Sequence, residues 1–493
     1  MLHASYPAWH SVCSKIFAQK EVTYWNKIIT IFAIHKNFIT FSVTLVIMYR
    51  TFKTHVPGSV RKGYVANMQK SHLLLITALL IIPLHAGAED LIKKGDTLDL
   101  TQCIETALKK QPSIVAATNI LKVNESKVGQ AKANYYPQIN WSSNYSRISP
   151  AQTTLYRKND AYDDYQSNLT LSQNIYDFEK TSTQVKIQRL NLDSSRSDFE
   201  NVSIQIVFGV KQAYFVVLQA KRNRDVAEET VQQFKQHLDR AKGFFEVGVK
   251  PKFDVTKAEV DLSNAKLNLI KMENALRIAR VNLNNAIGVP EAPEYTIVDD
   301  FIFRKYEISM EDAIKRAYAG RPDLLSLSTK KEAAERTIDL QKKGYFPTLS
   351  GNASYGFSGE DFPLEKGWNI GATLTFPLFS GLLTKYQVEE ARANLDVLKA
   401  NEEFLKQTIH LDVQQAHLNL REASDRISTT ELTVRQANEN LELANGRYAA
   451  GVGNPIEVTD ALVALSNAKT AYIAALYDYK IAQASMEKAM GTK

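Results

Sequence analysis

Two different rhythms of apolar and polar residues run through this chain. The first has a period of two. Ile139, Trp141, Ser143 and Tyr145 alternate with Asn140, Ser142, Asn144 and Ser146, and Leu169, Leu171 and Ile175 with Asn168, Thr170, Ser172 and Asn174. Further along, Leu349, Ala353, Tyr355 and Phe357 alternate with Ser350, Asn352, Ser354 and Gly356. Trp368, Ile370, Ala372, Leu374 and Phe376 do the same with Asn369, Gly371, Thr373 and Thr375. Successive side chains of a strand point to opposite faces, so each segment predicts a strand with one apolar and one small polar face. One such segment suits a hairpin on a soluble core equally well. Four of them, rich in aromatics and almost free of charge, have the pattern of a transmembrane β-barrel. Four strands cannot close a barrel, since the smallest outer-membrane barrels have about eight, and open edges are not tolerated in lipid. The barrel must be shared between chains.

The second rhythm steps three, four, three, four. Val413, Ala416, Leu420, Ala423, Ile427, Thr430, Val434, Ala437, Leu441, Ala444 and Tyr448 form one seam, and it restarts at Val458, Ala461, Leu465 and Ala468 after the interruption at 451–455. Val255, Ala258, Leu262, Ala265 and Leu269 begin a third. These are heptads, so coiled-coil packing is predicted. The stretch 381–448 would run for about 100 Å at 1.5 Å per residue, which is the length of a spacer or a tube. Small residues at alternate seam positions bring helices close together, as in a wall of helices packed side by side.

Both rhythms occur twice. Gln111-Pro112-Ser113 recurs as Arg321-Pro322-Asp323, and Tyr135-Tyr136-Pro137 as Tyr345-Phe346-Pro347, each 210 residues later; Gly248-Val249 and the run 262–266 recur as Gly451-Val452 and 465–469, 203 residues later. The mature chain therefore reads as an internal duplication, with residues 89–295 as the first copy and 296–493 as the second. The seven residues of difference fall in a loop between Pro137 and about Leu169 that is longer in the first copy. Pro137 and Pro347 stand where helix gives way to strand. Each half is predicted as helix, strand, strand, long helix, tight turn, helix.

Residues 68–88 hold a basic Lys70, an apolar run at 73–84 and the small residues Ala86, Gly87 and Ala88, which is a secretory signal peptide too short to span a bilayer. It begins at an internal methionine, so residues 1–67 read as a spurious extension upstream of the true start. A chain begun at Met68 is expected to be exported and functional, and N-terminal sequencing that finds residues before Ala88 on the native protein overturns this.

Charge follows the same division: residues 1–88 carry nine Lys/Arg and one acid, or +8 of the formal +7, and the remainder carries −1. The basicity belongs to the part that is removed, which excludes a nucleic-acid partner. Cys13 lies in the extension and Cys103 is alone in the mature part, so no intrachain disulfide forms there. Charged residues precede Cys103, so it reads as a buried small hydrophobe and not as a lipid-attachment site. The nine histidines show no metal-ligand spacing, and no phosphate loop or nucleophile motif appears. The reading is therefore of a non-enzyme with no cofactor, catalytic group or metal. A structural coiled-coil surface protein without a transport role would explain the heptads but leaves the four aromatic strands unaccounted for.

The order of elements, carried by residues 131–145 and 341–356, by 169–178 and 374–382, and by the turns at 244–255 and 447–462, resembles the TolC-like outer-membrane efflux family from about Leu98 to Gly491. The resemblance implies an α+β membrane protein: a homotrimeric, twelve-stranded transmembrane β-barrel with four strands per chain, continued by a long α-helical coiled-coil tunnel through the periplasm of a Gram-negative bacterium. It implies a passive conduit for tripartite efflux or type I secretion. The expected partners are outer-membrane lipid, a periplasmic adaptor and an inner-membrane pump of RND, MFS or ABC type. In the family the two helix-turn-helix tips meet the adaptor and close the periplasmic end. Here the tip-turn and docking candidates are Gly248, Val249, Gly451, Val452 and Tyr448, and the pore-constriction candidates are Asp254, Glu457 and Asp460. Glu457 and Asp460 are three apart and share a helix face; Asp254, at a helix start, has capping as its alternative role. A basic residue often stands two positions after the second turn glycine in the family; this chain has Gly453 there, with Lys250 and Lys252 of the other tip as substitute cations.

Overall fold

Proline decides where the first helices break. Pro112 has no N–H to donate and holds Gln111 extended, at φ −60° and ψ 124°, so the predicted leading helix is two helices, α1 (Leu100–Lys110) and α2 (Pro112–Lys132). The computed structural model describes residues 92–149, 161–299 and 303–493; the signal segment at 68–88 and the extension before it lie outside these.

After a short turn, the strands β2 (Gln138–Ile148) and β3 (Tyr162–Tyr176) form a hairpin, and the chain continues into α3 (Lys180–Glu246) and α4 (Lys252–Ala286). The second half repeats the order: α5 (Met310–Gly320), α6 (Pro322–Lys342), β5 (Thr348–Gly359), β6 (Glu365–Thr375), α7 (Leu383–Ala449) and α8 (Pro455–Ala489). The helix bounds before the strands recur 210 residues apart and those after them 203 apart. One pairing had no periodic signal: β1 (Thr97–Leu98) runs parallel to β4 (Thr296–Ile297), a two-residue strand from each half.

The sheet order is β2-β3-β5-β6, antiparallel throughout. The helices entering and leaving those strands are neighbours in the same lateral order, α2 on α3, α3 on α6, α6 on α7. Below that level α3 packs on α4 and α8, and α7 on α8. The predicted seam is the buried one: Val413, Ala416, Leu420, Ala423 and Ile427 lie in one core with Ala475, Tyr479 and Met486. Tyr479 is held there by donating its hydroxyl to the Arg304 carbonyl at 3.0 Å. At 67 residues, α3 and α7 are each about 100 Å long.

Cys103 is fully buried in a second core with Val210, Tyr214 and Leu283, and burial pushes its thiol up to about 12. It is inert packing.

Candidate functional site

Register decides what the sheet presents. Trp141 pairs with Leu169, Leu169 with Tyr355, and Tyr355 with Trp368; one step along, Ile139 pairs with Leu171, Leu171 with Ala353, and Ala353 with Ile370. Directly paired residues share a face, so the apolar residues of four strands form one unbroken surface. It has no cover: Trp141 is 74% exposed, Trp368 76% and Ile370 74%. The other face carries Asn140, Thr170, Ser354 and Asn369 in the equivalent row. A contiguous exposed apolar surface of this extent marks contact with lipid or a partner. The alternation fails at one place. A bulge between Asn174 and Tyr176 makes Tyr176, not Ile175, the partner of Leu349.

From the sheet the chain reverses sharply into each long helix. Phe178 and Glu179 hold positive φ (53° and 63°), as do Gly381 and Leu382 (61° and 68°), the equivalent positions of the second copy. Such a conformation in three non-glycine residues is strained and survives only where its surroundings demand it. Asp177 provides one demand, accepting the Thr181 backbone N–H at 2.9 Å and its hydroxyl at 2.5 Å, which satisfies one of the free N–H groups in the first turn of α3.

At the far end, both hairpins turn in the same way. Gly248 (φ +77°) and Gly451 (φ +78°) follow α3 and α7 in left-handed backbone. The N–H of Val249 reaches the Phe244 carbonyl and that of Gly248 the Phe245 carbonyl; Val452 and Gly451 bond to Arg447 and Tyr448 in the same pattern. This closure satisfies the last carbonyls of each helix and requires φ above zero at its glycine. Val249 and Val452 project from the turns, 61% and 71% exposed. The two tips pack as one unit, with Leu238, Ala241 and Leu262 from the first hairpin against Leu441, Ala444 and Val458 from the second. Thr459 donates to Asp261 at 3.0 Å across them.

Three expectations for this region need correction or refinement. Tyr448, placed with the docking residues by sequence, is 1% exposed: its ring sits 5.3 Å from His237 and 5.5 Å from Phe244, so it supports the tip from within. Asp254 makes no capping bond and is also buried, facing this interior and not an open face. Burial, with Asp254 adding to it, raises the Tyr448 phenol above its ordinary range, and burial lowers His237. The third concerns Gly453. A Cβ there would lie 2.7 Å from the Tyr448 nitrogen and 2.8 Å from the Arg447 carbonyl carbon, so no basic side chain fits this turn. Lys250 reaches across instead, donating to the Gly453 carbonyl at 3.4 Å.

Glu457 and Asp460 are both exposed near the start of α8, where Asn454 caps the helix by accepting from the Ile456 N–H at 3.0 Å. Glu457 is paired with Arg447 of α7 at 3.1 Å, and Asp460 has no ion pair among the described residues. Arg447 was missed from sequence because, in the last turn of α7, it reads as an ordinary solvated cation; only the reversal of the chain through the tip brings it to an acid ten positions on.

A sheet apolar on one face and polar on the other, joined to a wall of helices about 100 Å long, is the pattern of a membrane channel protein. Residues 103–289 and 313–492 match the family described as outer membrane efflux protein. The chain belongs to that family and acts in export as a channel protein of the Gram-negative outer membrane. It is 23% identical over 409 residues to the outer membrane protein TolC of Vibrio cholerae, covering 80% of this chain and 91% of that protein. It is 24% identical over 417 residues to the alkaline protease secretion protein AprF of Pseudomonas aeruginosa, covering 81% and 86%. The crystal structure of the Campylobacter jejuni CmeC outer membrane channel superposes with a TM-score of 0.70 at 19% identity, over 80% of this chain and 85% of that one.

Proposed function

We propose that three copies assemble around an axis, β6 of each pairing with β2 of the next, so that three sheets of four strands close a twelve-stranded barrel. The observation carrying this is the uncovered apolar face on a sheet with two free edges. In lipid, such edges must be paired. The small polar face then lines the bore, and the helix wall continues it as a tunnel across the periplasm. Residues 68–88 direct export and are removed, and 89–295 and 296–493 are duplicated halves that supply alternate segments of the wall. The assembly is a passive conduit in a tripartite efflux or type I secretion system, energised through a periplasmic adaptor by an RND, MFS or ABC pump. Migration of the protein from an outer-membrane fraction as a heat-dissociable trimer tests the assembly, and recovery as a soluble monomer overturns it.

The tips form the periplasmic mouth, with Gly248, Val249, Gly451 and Val452 as the surface an adaptor grips and Glu457 and Asp460 as an acidic constriction. Gly451→Trp places a large side chain on that surface in backbone that disfavours any side chain. It is expected to abolish efflux, measured as drug tolerance or secreted cargo, while a normal trimer remains in the outer membrane. Unchanged export with this variant removes the docking assignment.

A further inference from the structure

Where the sheet gives way to helices, the start of α3 and the end of α6 leave a cleft of about 680 Å³. Five of its side chains are cationic: Lys186 and Arg189 from α3, Arg336 and Lys342 from α6, and Lys343 just beyond. Glu179 and Asp339 are the two acids that line it, leaving an excess of three positive charges. Both acids are already engaged, Glu179 by Lys343 at 3.0 Å and Asp339 by Lys342 at 3.5 Å and Arg336 at 3.9 Å. Lys186 and Arg189 make no ion pair among the described residues. The Nε of Arg336 is shut off from solvent with no hydrogen-bond partner. Residues of the first turn of α3, Ser182 and Thr183, also line the cleft; the positive end of that helix is already met by the Asp177 carboxylate, so the attraction comes from the side-chain cations.

The level of the cleft follows from three rings. Tyr176, paired with Leu349 on the apolar face, meets Phe178 edge-on at 4.7 Å, and Phe178 stacks at 5.4 Å on Phe346, which lines the cleft. Aromatic residues of this kind girdle a barrel at the lipid–water boundary. The cleft therefore opens at the foot of the apolar belt, at headgroup height. It is not a by-product of the duplicated scaffold. The equivalent positions of the other copy hold Ser126, Gly129 and Ala133 in place of Arg336, Asp339 and Lys343, and Glu389 in place of Lys186.

The geometry points to a binding site for the phosphate headgroup of an anionic phospholipid of the periplasm-facing leaflet, with Lys186, Arg189 and Arg336 as its ligands and Phe346 against the glycerol end of the acyl chains. Guanidinium and ammonium groups aimed at one phosphate provide charge-assisted hydrogen bonds, and each cation near an anionic lipid strengthens binding about fivefold. The assignment rests on the barrel lying in the outer membrane as proposed above.

The test is native mass spectrometry of the trimer released from phosphatidylcholine nanodiscs doped with phosphatidylglycerol. Wild type is expected to retain phosphatidylglycerol over phosphatidylcholine. Lys186→Gln with Arg189→Gln and Arg336→Gln should lower that retention at least about tenfold, whereas Lys132→Gln with Arg392→Gln, at the equivalent place in the other copy, should leave it unchanged. If the triple variant does not assemble, Lys186→Gln with Arg189→Gln carries the test, since both side chains are exposed. No preference in wild type, or equal loss in the control, overturns the site. Displacement of the lipid by millimolar inorganic phosphate identifies a free-anion site and overturns the lipid assignment. Channel conductance in planar bilayers, recorded on the same preparations, reports the barrel separately from the lipid site.

Discussion

Ile370→Lys is expected to leave the protein outside the outer membrane. Ile370 is 74% exposed in a row with Ala353, Leu171 and Ile139. In water, a lysine at so exposed a position would be harmless or helpful. Facing lipid near the bilayer midplane it costs about 2–4 kcal/mol per chain, and a trimer carries it three times, so the loss is about 6–12 kcal/mol per assembled barrel. Asn369→Lys is the matched control, one residue away on the polar face opposite Ser354, where an aqueous bore accepts the charge. Outer-membrane fractionation followed by trimer migration with and without heating distinguishes the two. The expected result is a severe loss of inserted trimer for Ile370→Lys and near-normal insertion for Asn369→Lys. Equal insertion of both would mean that the exposed apolar face does not meet lipid, and the barrel would have to be abandoned.

Removing the tip acids should change what the open channel conducts. Rings of carboxylates in a narrow pore attract cations, bind multivalent ones tightly and repel anions. Glu457 already has Arg447 at 3.1 Å, while Asp460 has no ion pair among the described residues. The two acids should therefore contribute unequally. Asp460→Ala is expected to lower cation selectivity and periplasmic-side block by multivalent cations more than Glu457→Ala does, and the double variant to lose both properties. Arg447→Ala should act in the opposite direction, raising selectivity by freeing Glu457. Single-channel recordings with salt gradients and added trivalent cation read out all four. A double variant with wild-type selectivity leaves these residues as ordinary solvated acids at a helix start.

The periods of the sequence were sufficient for the elements and for the faces they present, because a period is a local property of the backbone. Alternation at 139–145 and 368–376 gave strands whose apolar side chains share one surface, and the three-four spacing from Val413 to Ile427 gave the buried seam of α7. Gly248 and Gly451 were legible as turn glycines since only glycine enters left-handed backbone without strain. The two missing classes were also physical in origin. Pairings of two residues, such as β1 with β4, are too short to carry a period. The bulge at Ile175 moves a side chain within a pattern that still looks regular.

Partnership between distant segments is what only the tertiary structure decided. A heptad seam reads the same whichever helix packs on it, so the period that put Tyr448 in the seam did not name His237 as its neighbour, and nothing local buried Asp254 or set Arg447 against Glu457. The basic cleft is the clearest case. Lys186 and Arg189 belong to one helix and Arg336 to another, and it is the pairing of β3 with β5 that draws the start of α3 beside the end of α6. Periodicity specifies the face each residue occupies. The energy of laying long helices and strands side by side specifies which faces meet, and that energy is a sum over contacts between segments far apart in the chain.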